Sequence, residues 1–385
     1  MKIAMAVRQF CEVGGAEKIT RRLAAHLSES GHGVDVFAYR ADAQDGVSLN
    51  RLNRPRCLPR AMRDWATGRG LSRALSRSGA EVTFGEQKTW GADVIRPGGG
   101  VEDAYWRARA RYAPIIRHPA GRFVHPKRYF DVWAERNGYA HPSLRRVIVN
   151  SRMMRNQLVA QYPHLADRIE VIHNGVDAVS PPVGDRTARR QALAVAHGLD
   201  PSAVWLLFAG HEFKRKGLRH ALRALARARA AGMDAQLVVV GRDRVGPYER
   251  ERDRLGLTPH VAFAGAVPGM AKYYASVDAL ILPSHYDPFA NVTMEAMGSG
   301  LPVITTRQNG GSELVDATAG WVIENPLAEE AMAAAIAKLA DPARRSAMGQ
   351  AARALAGKHL LQDKMKAIER VFLDVADEKR GAQPN

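Results

Sequence analysis

The sequence predicts an α/β protein built from two doubly wound parallel-sheet domains in tandem. Short apolar β-type runs alternate with longer amphipathic stretches almost throughout, a pattern that implies parallel sheets covered by helices on both faces. Six of those runs in the second half suffice for one doubly wound unit. The length of 385 residues, 42.1 kDa, fits two domains or one large one, at roughly 100–200 residues per domain.

In the first half the strand candidates are residues 3–7, 34–39, 82–84 and 147–150. In the second half they are 204–209, 236–240, 261–264, 279–282, 303–306 and 321–323. Between them, residues 17–28 and 218–230 place Leu and Ala every three or four positions, the helical period. The domain boundary is expected where turn chemistry is strongest, at Asn174-Gly175-Val176-Asp177 followed by Ser180-Pro181-Pro182-Val183-Gly184. This gives domains at 1–174 and 175–355. The helical pattern from 343 to about 376 has no strand after it, so residues 356–385 are read as a terminal helix placed to pack back across the domains. Residues 381–385 are expected to fray.

Composition narrows the class. Hydrophobic residues make up 46% and charged residues 25%, which excludes disorder and fibrous repeats. No apolar run approaches the about 20 residues that a membrane-spanning helix needs. Residues 1–10 are too short and too quickly charged for a secretory signal. Two cysteines, Cys11 and Cys57, exclude a disulfide framework and a cysteine-rich zinc site. The expectation is a soluble protein of the reducing cytoplasm.

Charge is uneven. The chain carries 56 Lys and Arg against 39 Asp and Glu, net +17; residues 1–170 account for +13 and residues 171–385 for +4. The densest basic stretches are 51–77 and 107–128. Such a half attracts phosphates on nucleic acid, an anionic membrane face or a phosphorylated substrate. A solvated, Arg-rich surface is the plain alternative. No recognition motif with interleaved aromatics accompanies the charge, which argues against nucleic acid.

Three constellations carry chemistry. Gly14 and Gly15 open a helix after the first strand, where backbone can approach a ligand and helical N–H groups face anionic oxygens; an ordinary strand-to-helix turn would use them too. Gly210-His211-Glu212-Phe213-Lys214-Arg215-Lys216-Gly217 puts three cations between a very apolar strand and a helix. Cations at a helix start oppose its dipole, so a diphosphate explains them better than helix stability does. The third constellation runs from Asp287 to Pro302. A helix starting near Asn291 would turn free N–H groups around Phe289, Ala290, Asn291 and Val292 toward a ligand. Asp287 and Glu295 bracket that turn, and carboxylates are good acceptors for sugar hydroxyls.

These residues carry a resemblance. Leu282-Pro283-Ser284, the Asp287-Pro288-Phe289 turn, Glu295-Ala296-Met297, Gly300-Leu301-Pro302-Val303-Ile304 and Asn309-Gly310-Gly311-Ser312-Glu313 resemble the nucleotide-sugar motif of the family-four retaining glycosyltransferases. Gly14-Gly15, Lys216-Gly217 and Asn174-Gly175-Val176-Asp177 stand in that family's usual order. The turn at 213–217 and the basic first domain are similar to the lipopolysaccharide core glucosyltransferases. The resemblance implies a GT-B fold, two Rossmann-like domains facing a central cleft. It also implies that Arg215 and Lys216 neutralise the donor diphosphate and that Asp287 holds hydroxyls of the transferred sugar. Phe289, Ala290, Asn291 and Val292 would bind sugar and phosphate through backbone N–H groups, Glu295 would bind the ribose, and Gly14 and Gly15 would close the site. Asp287 stands where the family usually has glutamate, and His211 where it usually has arginine. Between Arg96 and Asp103 the family often places a histidine or carboxylate near the transferred carbon; this chain has no histidine there, and Glu102 and Asp103 are both open.

The implied reaction moves a hexose, with retention, from UDP-glucose or a similar nucleotide sugar to a hydroxyl of a glycolipid or oligosaccharide. Lipopolysaccharide core or surface-polysaccharide assembly, at the inner face of the plasma membrane, is the expected setting. No cofactor beyond the nucleotide sugar and no metal is expected, because Arg215 and Lys216 supply charge and no metal-ligand spacing is recognisable. A GT-B sugar-nucleotide epimerase is the alternative enzyme, and a basic nucleic-acid-binding protein the alternative without catalysis.

Overall fold

Predominantly apolar runs become strands buried on both faces. Strand β8, Val204–Ala209, and β9, Ala235–Val240, are buried at all six positions each, as parallel strands between two helical layers must be. The computed structural model describes residues 1–11, 14–53, 60–86, 89–112, 126–177 and 185–382. Cys57, the Ser180–Gly184 segment and the middle of the 107–128 basic stretch lie outside the described residues, as do the last three residues of the tail.

The chain divides into two compact units, one of residues 1–173 with 362–385 and the other of residues 174–361. In the first, β1 (Lys2–Phe10), β2 (Gly33–Ala41), β3 (Val47–Arg51), β4 (Val82–Glu86), β5 (Val94–Arg96), β6 (Arg146–Val149) and β7 (Ile169–Val171) form one parallel sheet, ordered β3-β2-β1-β4-β5-β6-β7. In the second, β8 and β9 join β10 (Val261–Gly265), β11 (Ala279–Leu282), β12 (Val303–Thr306) and β13 (Gly320–Ile323), ordered β10-β9-β8-β11-β12-β13. These pairings are parallel too. Both orders reverse beside the first strand of the unit, between β1 and β4 and between β8 and β11. Ligands of such sheets bind at that switch point, outside the carboxyl ends of the strands.

All six strands expected in the second half are present. The first unit holds three that the sequence reading missed: β3, β5 and β7, each of three to five residues. The expected boundary moves by one residue, to Asn174, and the long C-terminal helical pattern breaks. A helix at Pro342–Gly357 ends, the next begins at Leu361, and Leu360 between them forms a bridge with Val176. Val176 N–H donates to His359 O at 3.0 Å and Leu361 N–H to Val176 O at 2.8 Å. The linker motif at 174–177 is therefore held by the chain that returns past it.

The helix Leu361–Gly381 packs in the first unit. Its Phe372 is fully buried with ring centroid 5.7 Å from Phe84 of β4. Its Glu369 carboxylate lies 2.7 and 2.9 Å from Nε2 of His26 and His32. Lys379 Nζ reaches Asp93 at 3.0 Å. Among the described residues no helix is long and apolar enough to cross a membrane.

Candidate active site

The two constellations of the second unit follow the two strands that flank its switch point. The cationic turn leaves β8 and the Asp287 segment leaves β11, and β8 pairs with β11 at Leu206–Ala279 and Leu207–Leu280. Residues 71 apart in sequence, Lys216 and Asp287, thus meet at one sheet edge.

The turn is built by glycines that leave room and by one residue under strain. Gly210 has φ of 143°, and a Cβ there would sit 2.5 Å from Cδ and Cε of Lys216. Its missing side chain is the channel along which the lysine stem lies. Glu212 has φ of 56°, a left-handed conformation no other described non-glycine residue adopts; such strain persists where the surroundings fix it. Phe213 N–H is taken by Asp243 Oδ2 at 2.7 Å, pinning the turn to the end of β9. Gly217, φ 81°, ends the short helix Phe213–Lys216, and a Cβ there would meet Pro283 O at 2.0 Å. Gly217→Ala is expected to cost at least about 2 kcal/mol from the left-handed backbone and the clash together, and to weaken donor binding by prying the turn from residue 283. Urea titration and nucleotide binding check both; a variant as stable as the parent would refute the packing argument.

Arg215, Lys216 and Asp287 meet. Asp287 Oδ2 accepts from Lys216 Nζ at 2.8 Å and from Arg215 Nη1 at 3.0 Å, and the Lys216 and Asp287 side chains are each under a tenth exposed. Burial alone would raise the Asp287 pKa, but Lys216 and Arg215 outweigh it and hold the carboxyl below its ordinary value. Arg215 is likewise desolvated, but Asp287 and Glu212 more than compensate and raise its pKa. It also donates to Tyr286 O at 2.8 Å and to Glu212 Oε2 at 2.7 Å. The carboxylate expected to hold the sugar thus bridges the two cations expected to meet the diphosphate.

The helix Asn291–Gly298 starts where its sequence suggests. Of the four residues expected to offer backbone N–H groups, Phe289 and Ala290 are buried and Asn291 and Val292 half-buried. Ala290 N–H is spent inside the protein, on Asn309 Oδ1 at 3.0 Å. Asn174 Nδ2 donates to Asn291 Oδ1 at 2.7 Å, so the linker motif touches the helix start. Glu295, one turn in, accepts from Tyr274 Oη at 2.6 Å. Burial first, and then the Glu295 carboxylate, raises the tyrosine pKa well above its usual value.

Two of these organising residues had no role assigned from the sequence, although Asn309 opens the quoted motif at 309–313. Asn309 is fully buried and satisfied by four partners: Ala290 N and Gly311 N into Oδ1, Thr293 Oγ1 and Thr305 Oγ1 from Nδ2. The Asn-Gly-Gly sequence signals such an Asx turn. Tyr274 gave no signal beyond an apolar run.

Gly14 and Gly15 lie in the first unit at the start of the helix Gly15–Glu29. Gly14 has φ of 116°, and a Cβ there would fall 2.1 Å from Glu17 Oε2, so the Glu17 carboxylate covers the helix start. Asp103 pairs with Arg107 and Arg128, and Glu102 is buried at the start of the helix Glu102–Tyr112. Among the described residues no group of three or more His, Cys, Asp or Glu could hold a metal ion.

Comparisons with known proteins divide the chain the same way. Residues 13–179 match the model of glycosyltransferase family 4, and residues 203–341 that of glycosyl transferases group 1. A D-inositol 3-phosphate glycosyltransferase of Segniliparus rotundus is 31% identical over 221 residues, 55% of this chain and 48% of the relative. The chain thus spans about half the length of that relative. The lipopolysaccharide glucosyltransferase WaaG of Escherichia coli is 22% identical over 336 residues, 86% of this chain and 87% of WaaG. A crystal structure of WaaG superposes with a TM-score of 0.81 at 22% identity, covering 96% of this chain and 99% of the other. HepE of Anabaena, in complex with UDP and glucose, gives 0.68 at 19% identity over 97% and 99%. At these identities the structures establish the fold, and the two α/β domains are those of GT-B proteins.

Proposed function

We propose, from the premise that this chain belongs to the family 4 and group 1 glycosyltransferases, that it moves a hexose from a nucleoside diphosphate to an acceptor hydroxyl with retention of configuration. The donor is UDP-glucose or a similar nucleotide sugar, and the acceptor a glycolipid or oligosaccharide of lipopolysaccharide core or cell-surface polysaccharide. The observation that carries this reading is the meeting of Arg215, Lys216 and Asp287 at the switch point of the second unit, beside the start of the helix Asn291–Gly298. HepE, a structure of the same fold, holds UDP and glucose, which supports the donor class.

The barrier to such a transfer lies largely in negative charge growing on the departing phosphate while the sugar becomes oxocarbenium-like. Fixed cations aimed at that phosphate lower it most, because they need no reorganisation as the charge develops. Arg215 and Lys216 are fixed in this way by Asp287, by Tyr286 O and by the slot at Gly210. Asp287 Oδ1 is left to a sugar hydroxyl, and Glu295, oriented by Tyr274, to the ribose.

The first unit is assigned to the acceptor. It carries 34 Lys and Arg against 21 Asp and Glu, net +13, whereas the second unit carries 22 against 18. That charge suits a phosphorylated glycolipid or an anionic membrane face, at about 1 kcal/mol per cation near such a surface. Screening UDP-, GDP- and ADP-sugars by thermal shift, then assaying the best binder for release of free nucleotide with membrane glycolipid fractions, tests the reading. Stabilisation by one nucleotide sugar and acceptor-dependent release are expected. Isomerised sugar nucleotide without any acceptor, or no stabilisation at all, would overturn it.

A further inference from the structure

The first unit has a switch point of its own, between β1 and β4. At the strand ends of β1, β4 and β5, beside the helix Gly15–Glu29, polar and charged groups come together. Glu86 is the last residue of β4, and its register partner on β5 is Arg96, also a strand end. Thr20, buried on the helix Gly15–Glu29, donates Oγ1 to Glu86 Oε1 at 2.6 Å. Arg8 of β1 gives Nη1 to Asp64 at 3.1 Å, while its buried Nη2 has no partner among the described residues. Arg96 is buried, whereas Glu86 keeps part of its surface open.

We propose that Glu86 and Arg96 form the acceptor-recognition site of the first unit, binding adjacent hydroxyls of a sugar ring. The carboxylate accepts from one hydroxyl, and the guanidinium beside it donates to the neighbouring oxygen. A sugar diol presents one donor and one acceptor at about hydrogen-bond spacing, and a carboxylate–guanidinium pair in strand register presents the complement. Thr20 is a positioning residue: by fixing Oε1 it leaves Oε2 for the ligand.

The electrostatics fit a group kept for function rather than for stability. Burial raises the Glu86 pKa to about 7, against the Thr20 hydrogen bond, and Glu17 on the neighbouring helix raises it further, while Arg96 and Arg8 pull it down. Arg96 is lowered by burial to about 10 and raised by Glu86, and remains a cation at neutral pH. Because the folded-state value lies above the ordinary 4.5, the carboxyl favours folding below pH 4.5 and loses that contribution as the pH rises through about 7. A carboxylate whose ionised form costs stability at neutral pH, held at the strand ends beside the switch point of a doubly wound sheet, fits a functional role there.

The proposal rests on the glycosyltransferase reading, and its test separates the two. The full chain, saturated with UDP, is probed by saturation-transfer NMR with octyl β-D-glucopyranoside and octyl α-D-mannopyranoside. The wild type is expected to transfer saturation to ring protons of at least one glycoside. That signal should fall as the pH drops from 8 to 6, since the ionised carboxylate is the better acceptor. Glu86→Gln should weaken binding at least about tenfold and flatten the pH profile, with UDP affinity unchanged, and should raise the melting temperature at pH 8 but not at pH 4.5. Thr20→Val should give an intermediate loss. No ring-proton transfer to the wild type, or equal transfer in Glu86→Gln, would overturn the proposal while UDP still binds. Failure of the wild type to bind UDP would instead remove the glycosyltransferase reading beneath it.

Discussion

Lys216→Ala is expected to cut sugar transfer by about 10²–10³-fold, the loss that follows removal of one preorganised donor facing a developing oxyanion. The side chain has no slack: it lies in the channel above Gly210 and ends 2.8 Å from Asp287. Alanine therefore removes the charge without offering a substitute. Lys216→Arg is expected to rescue little, since the channel is so narrow that even a Cβ on Gly210 would meet the stem at 2.5 Å, and a forked guanidinium is wider than that stem. The loss should fall on turnover more than on donor affinity if the lysine acts on charge that grows in the transition state. Stability should drop by only about 1–3 kcal/mol, because Arg215 stays on Asp287 and the carboxylate is not left buried alone. Asp287→Asn gives the complementary result. With its carboxyl held below the ordinary 3.8, Asp287 stabilises the fold above that value, and the contribution fades as the pH falls through the lowered one. The variant should therefore be less stable than the parent at pH 7, with the gap narrowing in acid. Steady-state kinetics with the donor found by screening decide the matter: a Lys216→Ala enzyme within threefold of the parent would mean that the cationic turn does not meet the leaving phosphate.

What could be read from the sequence, and what could not, follows from how local each signal is. The six strands of the second unit are apolar runs whose character survives in isolation, so β8, β11 and β12 fall at their expected bounds. In the first unit β5 is Val-Ile-Arg and β7 Ile-Glu-Val; three residues with a charge among them carry no periodicity, and only neighbouring strands make them strands. The motifs at 210–217 and 287–295 were legible because glycines, cations and carboxylates announce themselves. Their mutual contact was not, since Lys216 and Asp287 meet only through the pairing of β8 with β11. Glu86 and Arg96 show the same limit: ten residues apart in sequence, they face one another by register alone.

Asn309→Leu should be the most damaging single change in the second unit, although the residue is expected to touch no substrate. Leucine keeps the branched outline of the amide, so the loss is chiefly one of hydrogen bonds rather than shape. The amide satisfies two backbone N–H groups, of Ala290 and Gly311, at 3.0 Å each, and two threonine hydroxyls at 2.9 and 3.0 Å, all inside a fully buried pocket. The hydroxyls retain other options: Thr305 Oγ1 already donates to Leu282 O at 2.9 Å. The backbone groups have none, and an unsatisfied buried N–H costs about 1–3 kcal/mol. Two of them make a loss of about 3–5 kcal/mol, enough to threaten a fold of ordinary stability. The same bonds fix the loop geometry beside the proposed phosphate site, because Asp287 pairs with Asn309 as an isolated bridge, donating to Gln308 O and accepting from Gly310 N at 2.8 Å each. Donor affinity should therefore fall even at temperatures where the variant stays folded. Asn309→Asp separates the two contributions, since it keeps an acceptor for both N–H groups and loses the donors to the threonines, of which Thr305 already spends its own proton on Leu282 O. It should retain more donor binding than the leucine variant, because the Ala290 and Gly311 N–H groups keep their acceptor. Urea denaturation of the full chain, read beside nucleotide affinity, should rank the parent first, Asn309→Asp second and Asn309→Leu last. A leucine variant within about 0.5 kcal/mol of the parent, the range of ordinary surface substitutions, would show that this buried amide does not hold the turn.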